Sequence, residues 1–146
     1  MDEMLNILDA FEDHEIFFVT NKSKHTEKLH EIGRVYYIAD MIDVSSFVLV
    51  LLTRLLQLFL VLIPCIKILL KEKPSVIVSC GGAGTVPLCY LGKLTGAKVI
   101  YITSLTRIKD LSYMDKIVYP IVDLFLVQWE HLADRYKKAK FWGRVV

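Results

Sequence analysis

The chain has 146 residues, enough for one domain with a sizeable core, and 54% of them are hydrophobic, with a mean hydropathy of +0.44. That is high for a freely soluble domain and implies that some apolar surface stays exposed. Against 18 basic side chains stand 16 acidic ones, so the net charge is only +2 and the electrostatic footprint of a nucleic-acid-binding protein is missing.

Met1-Asp2-Glu3-Met4 is acidic and lacks the regions of a signal peptide, so no export is expected. Met4, Leu5, Ile7, Leu8 and Phe11 recur at helical spacing and predict a first helix, followed by a strand over residues 15–20. Residues 21–33 are polar and read as a loop or short helix leading to a strand at 35–38. A long helix follows from Ser45 or Ser46, either a suitable N-cap, to about Lys71, where Lys73-Pro74 ends it. Three further strand–helix units are expected: 76–78 then 84–94, 98–102 then 111–119, and 124–127 then 130–136, with 141–143 as a last short strand. This alternation predicts a single α/β domain over 1–146, built on a Rossmann-like parallel sheet. Cys65, Cys80 and Cys89 are odd in number and show no metal-ligand spacing, so a reducing compartment is expected and neither metal nor cofactor.

The long helix, 46–71, is apolar enough to cross a bilayer, since about 20 residues suffice. Arg54 does not forbid a crossing: one arginine at the bilayer centre costs roughly 2.5–3.5 kcal/mol, which the leucines would offset. Topology argues against it, because strands on both sides of the helix are expected to share one sheet. The prediction is therefore an interfacial helix with Leu51, Leu55, Leu58, Leu62 and Leu69 in lipid and Arg54, Lys67 and Lys71 near headgroups. The competing reading is a core helix buried between the sheet and a partner.

Gly81-Gly82-Ala83-Gly84-Thr85 follows a strand and opens a helix, where backbone N–H groups suit phosphate or another anion. The Gly-x-Gly-x-x-Pro spacing of Gly82, Gly84 and Pro87 departs from the dinucleotide fingerprint, and close strand–helix packing explains such a turn equally well. The next strand ends in Thr103-Ser104-Leu105-Thr106-Arg107 and Lys109, on the carboxyl edge where open α/β sheets bind ligands. Arg107 could grip a phosphate or diphosphate and Lys109 add a point charge; both could equally be solvated surface cations.

The blocks 101–112, Tyr119-Pro120-Ile121-Val122-Asp123, Val127-Gln128-Trp129 and Gly143-Arg144-Val145 resemble the asparagine-linked glycosylation protein fourteen family, over residues 74–146. The resemblance implies the amino-terminal half of a split GT-B glycosyltransferase. This subunit would bind a polyprenyl-diphosphate-linked sugar acceptor at the cytoplasmic face of a membrane, as a peripheral or monotopic protein. It would recruit a catalytic, donor-binding subunit that carries the UDP-sugar. The prokaryotic branch of polysaccharide biosynthesis is favoured, because a eukaryotic-type amino-terminal anchor is not in the sequence. By the family's pattern, Gly82, Gly84, Thr85, Ser104, Arg107 and Lys109 line the acceptor cleft, and Glu3 matches the glutamate of a Gly-Gly-His-x-x-Glu motif. Relatives carry a glutamate at the position of Thr103, and the glycines and histidine of the motif have no counterpart, which leaves the catalytic residues unassigned. A strand upstream of residue 1 is accordingly expected in the native protein. A different class remains open on the glycine turn alone, a stand-alone nucleotide- or anion-binding Rossmann-like module without transferase activity. A third is a pure membrane scaffold.

Overall fold

A computed structural model of the chain describes residues 2–22, 26–38 and 47–145. The first predicted helix is broken into a single turn, α1 (Asp2–Leu5), and a 3-10 turn at Leu8–Phe11. Two short parallel strands follow, β1 (Phe17–Thr20) and β2 (Arg34–Tyr37), paired from Phe17 opposite Arg34 to Thr20 opposite Tyr37. The 26-residue helix α2 (Phe47–Glu72) comes next, and its expected N-caps, Ser45 and Ser46, lie outside the described residues. It ends as the sequence predicts: Lys73 turns to a positive φ of 45°, its N–H still bonded to the Leu69 carbonyl at 2.9 Å, and Pro74 cannot continue the helix.

The rest of the chain is a regular series: β3 (Val76–Ser79), α3 (Val86–Leu94), β4 (Lys98–Ile102), α4 (Tyr113–Val118), β5 (Leu124–Leu126), α5 (Glu130–Arg135) and β6 (Ala139–Lys140). β3, β4, β5 and β6 pair in that order, all parallel, each crossover carrying one helix. The architecture is thus α/β and Rossmann-like. The last strand lies at Ala139–Lys140 rather than 141–143. A tight turn, closed by the Ala139 N–H on the Tyr136 carbonyl at 2.8 Å, brings Lys140 early enough for its carbonyl to accept from Val127 N–H at 2.9 Å.

One expectation needs correction. Among the described residues the strands form two ladders, β1–β2 and β3–β6, not one shared sheet, so α2 connects strands of different ladders. β1 and β3 each stand at an edge of their ladder. What joins the two parts is side-chain packing: Ile38 after β2, Val61, Cys65, Ile68 and Leu69 of α2, and Leu88 and Cys89 of α3 share one core with Val99, Tyr101 and Phe125 of the larger sheet. Tyr101 and Phe125 stack at 5.4 Å between ring centroids. α3 comes down on β3 through Gly92, where even a Cβ would lie 2.0 Å from Ile77 Cδ1.

α2 is nearly all apolar, so hydropathy does not say which of its faces is inside. In the structure Leu69 is buried and belongs to the core, and Leu62 is half-buried. The exposed stripe is instead Leu60 (54%), Ile63 (50%), Ile66 (43%) and Leu70 (65%), with Lys67 and Lys71 beside it. The side chains of Leu51, Leu55 and Leu58 lie outside the described residues. No helix among the described residues is long and apolar enough to cross a membrane.

Candidate functional site

At the carboxyl edge of the larger sheet, β3 runs into Gly81 and Gly82, whose φ values of 83° and 99° lie in the left-handed region that side chains avoid. A 3-10 turn at Ala83–Thr85 then feeds α3. The Thr85 hydroxyl locks this turn, since its Oγ1 lies 3.1 Å from the Gly81 carbonyl, 2.9 Å from the Gly82 carbonyl and 3.1 Å from Ser79 Oγ. Its single proton is therefore committed within the turn, which makes Thr85 a residue that shapes the loop. Gly84 is buried in the same turn. α1 reaches this edge too, as Met4 Sδ lies 4.0 Å from Cys80 Sγ just before the glycines. Glu3 sits in α1, and its side chain lies outside the described residues.

The loop after β4 carries the hydroxyl and basic residues and is itself tightly turned. Arg107 N–H bonds the Ser104 carbonyl at 2.9 Å, and the Thr106 hydroxyl lies 3.2 Å from Ser104 Oγ. Arg107 and Lys109 are exposed, and neither side chain makes a hydrogen bond or ion pair among the described residues. The loop that carries them is anchored at several points. Trp129 Nε1 donates to the Leu105 carbonyl at 2.9 Å, and His131 bonds the Ile108 carbonyl. Asp110 accepts from the Tyr136 hydroxyl, from Lys116 Nζ at 2.9 Å and from Leu111 N–H at 2.9 Å, and together these hold its carboxyl far below the usual carboxylate range. Arg144, in the segment that closes the chain, lies 4.1 Å over the Trp129 ring.

Tyr101 lies beneath the glycine turn, on the strand that leads into the basic loop. Its hydroxyl would stand 3.7 Å from a Cβ at Gly81, and it donates to the buried Asp115 at 2.8 Å. Burial first, and then the Asp115 carboxylate, drives the Tyr101 pKa upward, while the Arg107 charge acts on the same hydroxyl in the opposite sense. Tyr101 therefore stays a protonated donor. Asp115 also accepts from Ser112 N–H at 2.6 Å, and Ser112 Oγ accepts from Asp115 N–H at 3.2 Å, a reciprocal cap that opens α4. The Ser112-x-x-Asp115 spacing was a readable signal of that cap. The pairing of Asp115 with Tyr101 across 14 residues was not.

Of the residues expected to line a cleft, Gly82, Gly84, Thr85, Ser104 and Arg107 are thus gathered on one edge, with Lys109 two residues further along the same loop. Thr103 departs from them. Its side chain is fully buried, its N–H bonds the Leu126 carbonyl at 2.9 Å, and its hydroxyl has no hydrogen-bond partner among the described residues. Gln128, also buried, accepts the Val145 N–H on its side-chain carbonyl at 2.8 Å. The arrangement offers two unengaged cations on a braced loop beside a glycine turn, which suits binding an anion with two or more charged oxygens.

Comparison with known proteins bears on the family of the chain. Residues 2–145 match the family described as oligosaccharide biosynthesis protein Alg14 like. The chain is similar to the UDP-N-acetylglucosamine transferase subunit ALG14 of Yarrowia lipolytica, 40% identical over 87 residues that make up 56% of this chain and 40% of that protein. The corresponding subunit of Schizosaccharomyces pombe is 46% identical over 78 residues, 49% of this chain and 37% of the relative. With the human subunit the identity is 35% over 83 residues, 52% of this chain and 38% of the relative. The matched part spans about two fifths of the length of these relatives. A family match over nearly the whole chain, consistent with its parallel α/β fold, makes this protein a member of the Alg14-like oligosaccharide biosynthesis family.

Proposed function

We propose that this chain is the acceptor-side, membrane-associating subunit of a UDP-N-acetylglucosamine transferase that works on lipid-linked oligosaccharide. The observation that carries the reading is the pair Arg107 and Lys109, exposed and unengaged on a loop that Trp129, His131 and Asp110 hold in place beside the Gly81–Gly82 turn. A diphosphate joining a sugar to a polyprenyl chain presents the charge that two such cations and the turn amides would grip. The exposed stripe of α2 supports a peripheral position on a membrane, and we place it on the cytoplasmic side, with the acceptor embedded in that membrane. A separate donor-binding subunit would bring the UDP-sugar against the acceptor hydroxyl, and holding both reactants in line is the main contribution to rate.

The test is reconstitution with UDP-N-acetylglucosamine and a polyprenyl-diphosphate-linked sugar, with and without a donor-binding partner. Transfer is expected only when both polypeptides are present. Full turnover by this chain alone would remove the subunit reading.

A further inference from the structure

We infer that the Lys67 and Lys71 shoulder of α2 is a binding site for the phosphate of an anionic lipid headgroup. The inference rests on the membrane association proposed above and adds to it a lipid class. At 100° per residue, Leu60, Ile63, Ile66 and Leu70 form one stripe of α2, and Lys67 and Lys71 lie along its flank, one turn apart. On that flank α2 and β2 enclose an open pocket of about 230 Å³ lined by Tyr36, Tyr37, Pro64, Lys67, Ile68 and Lys71.

The charge balance of the pocket is one-sided. The pocket lining holds two lysines and no carboxylate; the nearby Glu72, whose side chain is only 5% exposed, acts on Lys71 but already receives the Tyr36 hydroxyl and pairs with Arg34 at 2.9 Å. Lys71 Nζ stands 5.2 Å over the Tyr36 ring, which braces it at the pocket wall. Lys67 is exposed. Two ammonium groups one helical turn apart repel each other, and a shared phosphate relieves that repulsion. A free phosphate would use the cations but leave the leucine and isoleucine stripe bare. A lipid uses both, with its acyl chains along the stripe and its phosphate at the lysines.

Vesicle flotation of the full chain tests this, using phosphatidylcholine alone and an equal mixture of phosphatidylcholine and phosphatidylglycerol. Wild type is expected to bind the mixture more tightly. The Lys67→Gln/Lys71→Gln variant should lose about thirtyfold on the mixture, the weight of two lysines at an anionic surface, and nothing on phosphatidylcholine. Lys67→Arg/Lys71→Arg should retain binding. An equal-charge control, Lys22→Gln/Lys137→Gln, should behave as wild type. Equal losses in the two glutamine variants mean diffuse attraction and overturn the site. Equal binding of wild type to both vesicles also overturns it while leaving membrane association intact; failure to float on either removes both. If inorganic phosphate at matched ionic strength fills the site as tightly as the mixed vesicles do, the ligand is a free anion and the lipid assignment is wrong.

Discussion

Replacing Asp115 with alanine tests whether the buried Tyr101–Asp115 pair ties the start of α4 to β4. The carboxylate of Asp115 accepts the Tyr101 hydroxyl at 2.8 Å and the Ser112 N–H at 2.6 Å, and the residue is only 3% exposed. Ser112 Oγ still caps the N–H of residue 115, so the cap loses only its reciprocal bond from Ser112 N–H, about 1 kcal/mol. A buried Tyr101 hydroxyl left without an acceptor costs about 1–3 kcal/mol more. The sum, about 2–4 kcal/mol, corresponds for a domain of this size to a fall in Tm of about 5–15 °C. Tyr101→Phe alone leaves the carboxylate its Ser112 bond and should cost about 1–3 kcal/mol. Because the two side chains serve each other, the double variant should be less damaged than the sum of the singles, with a coupling of about 1–3 kcal/mol by urea denaturation. Additive losses, or an Asp115→Ala variant within about 0.5 kcal/mol of wild type, would refute the account of this pair.

Gly92→Ala should destabilise by about 1–3 kcal/mol, because the new methyl meets Ile77 Cδ1, and Ile77→Val in the same chain should recover most of the loss. Urea denaturation of the single and double variants checks it. Arg107→Ala should lower transfer by the reconstituted pair roughly ten- to hundredfold, the loss of one charge-assisted contact, while moving stability by less than about 0.5 kcal/mol. The Tyr136 hydroxyl, then Lys116 and the Leu111 N–H, depress the Asp110 pKa in the folded chain. Stability from this group is therefore complete above its unfolded pKa of about 3.9 and is lost as pH falls through the lower folded value. Asp110→Asn should be less stable than wild type at neutral pH, and the gap should close in strong acid; a gap that widens there contradicts the assignment.

Most of the element series was legible because periodicity and punctuation are local. Alternating apolar runs placed β3, β4 and β5, and Lys73-Pro74 placed the end of α2, because the proline constraint acts through covalent neighbours. The gathering of Gly82, Thr85 and Arg107 was legible as well, since parallel strands bring every strand-to-helix loop to one edge. The side-chain roles were less so. Thr85 is spent on the Gly81 and Gly82 carbonyls, and the hydroxyl beneath the turn belongs to Tyr101, a core residue of β4.

The face of α2 marks the limit. In a helix where nearly every position is apolar, Leu62, Leu69 and Leu70 are equivalent by hydropathy, and the sequence determined only that some large apolar surface had to remain outside. Packing against the sheet and α3 buried Leu69 and left Leu60, Ile63 and Leu70 exposed, because the contacts that choose a face come from residues distant in the chain. Strand pairing has the same character: alternation predicted parallel strands, but hydrogen bonding between distant segments decided that β1 and β2 form a ladder of their own.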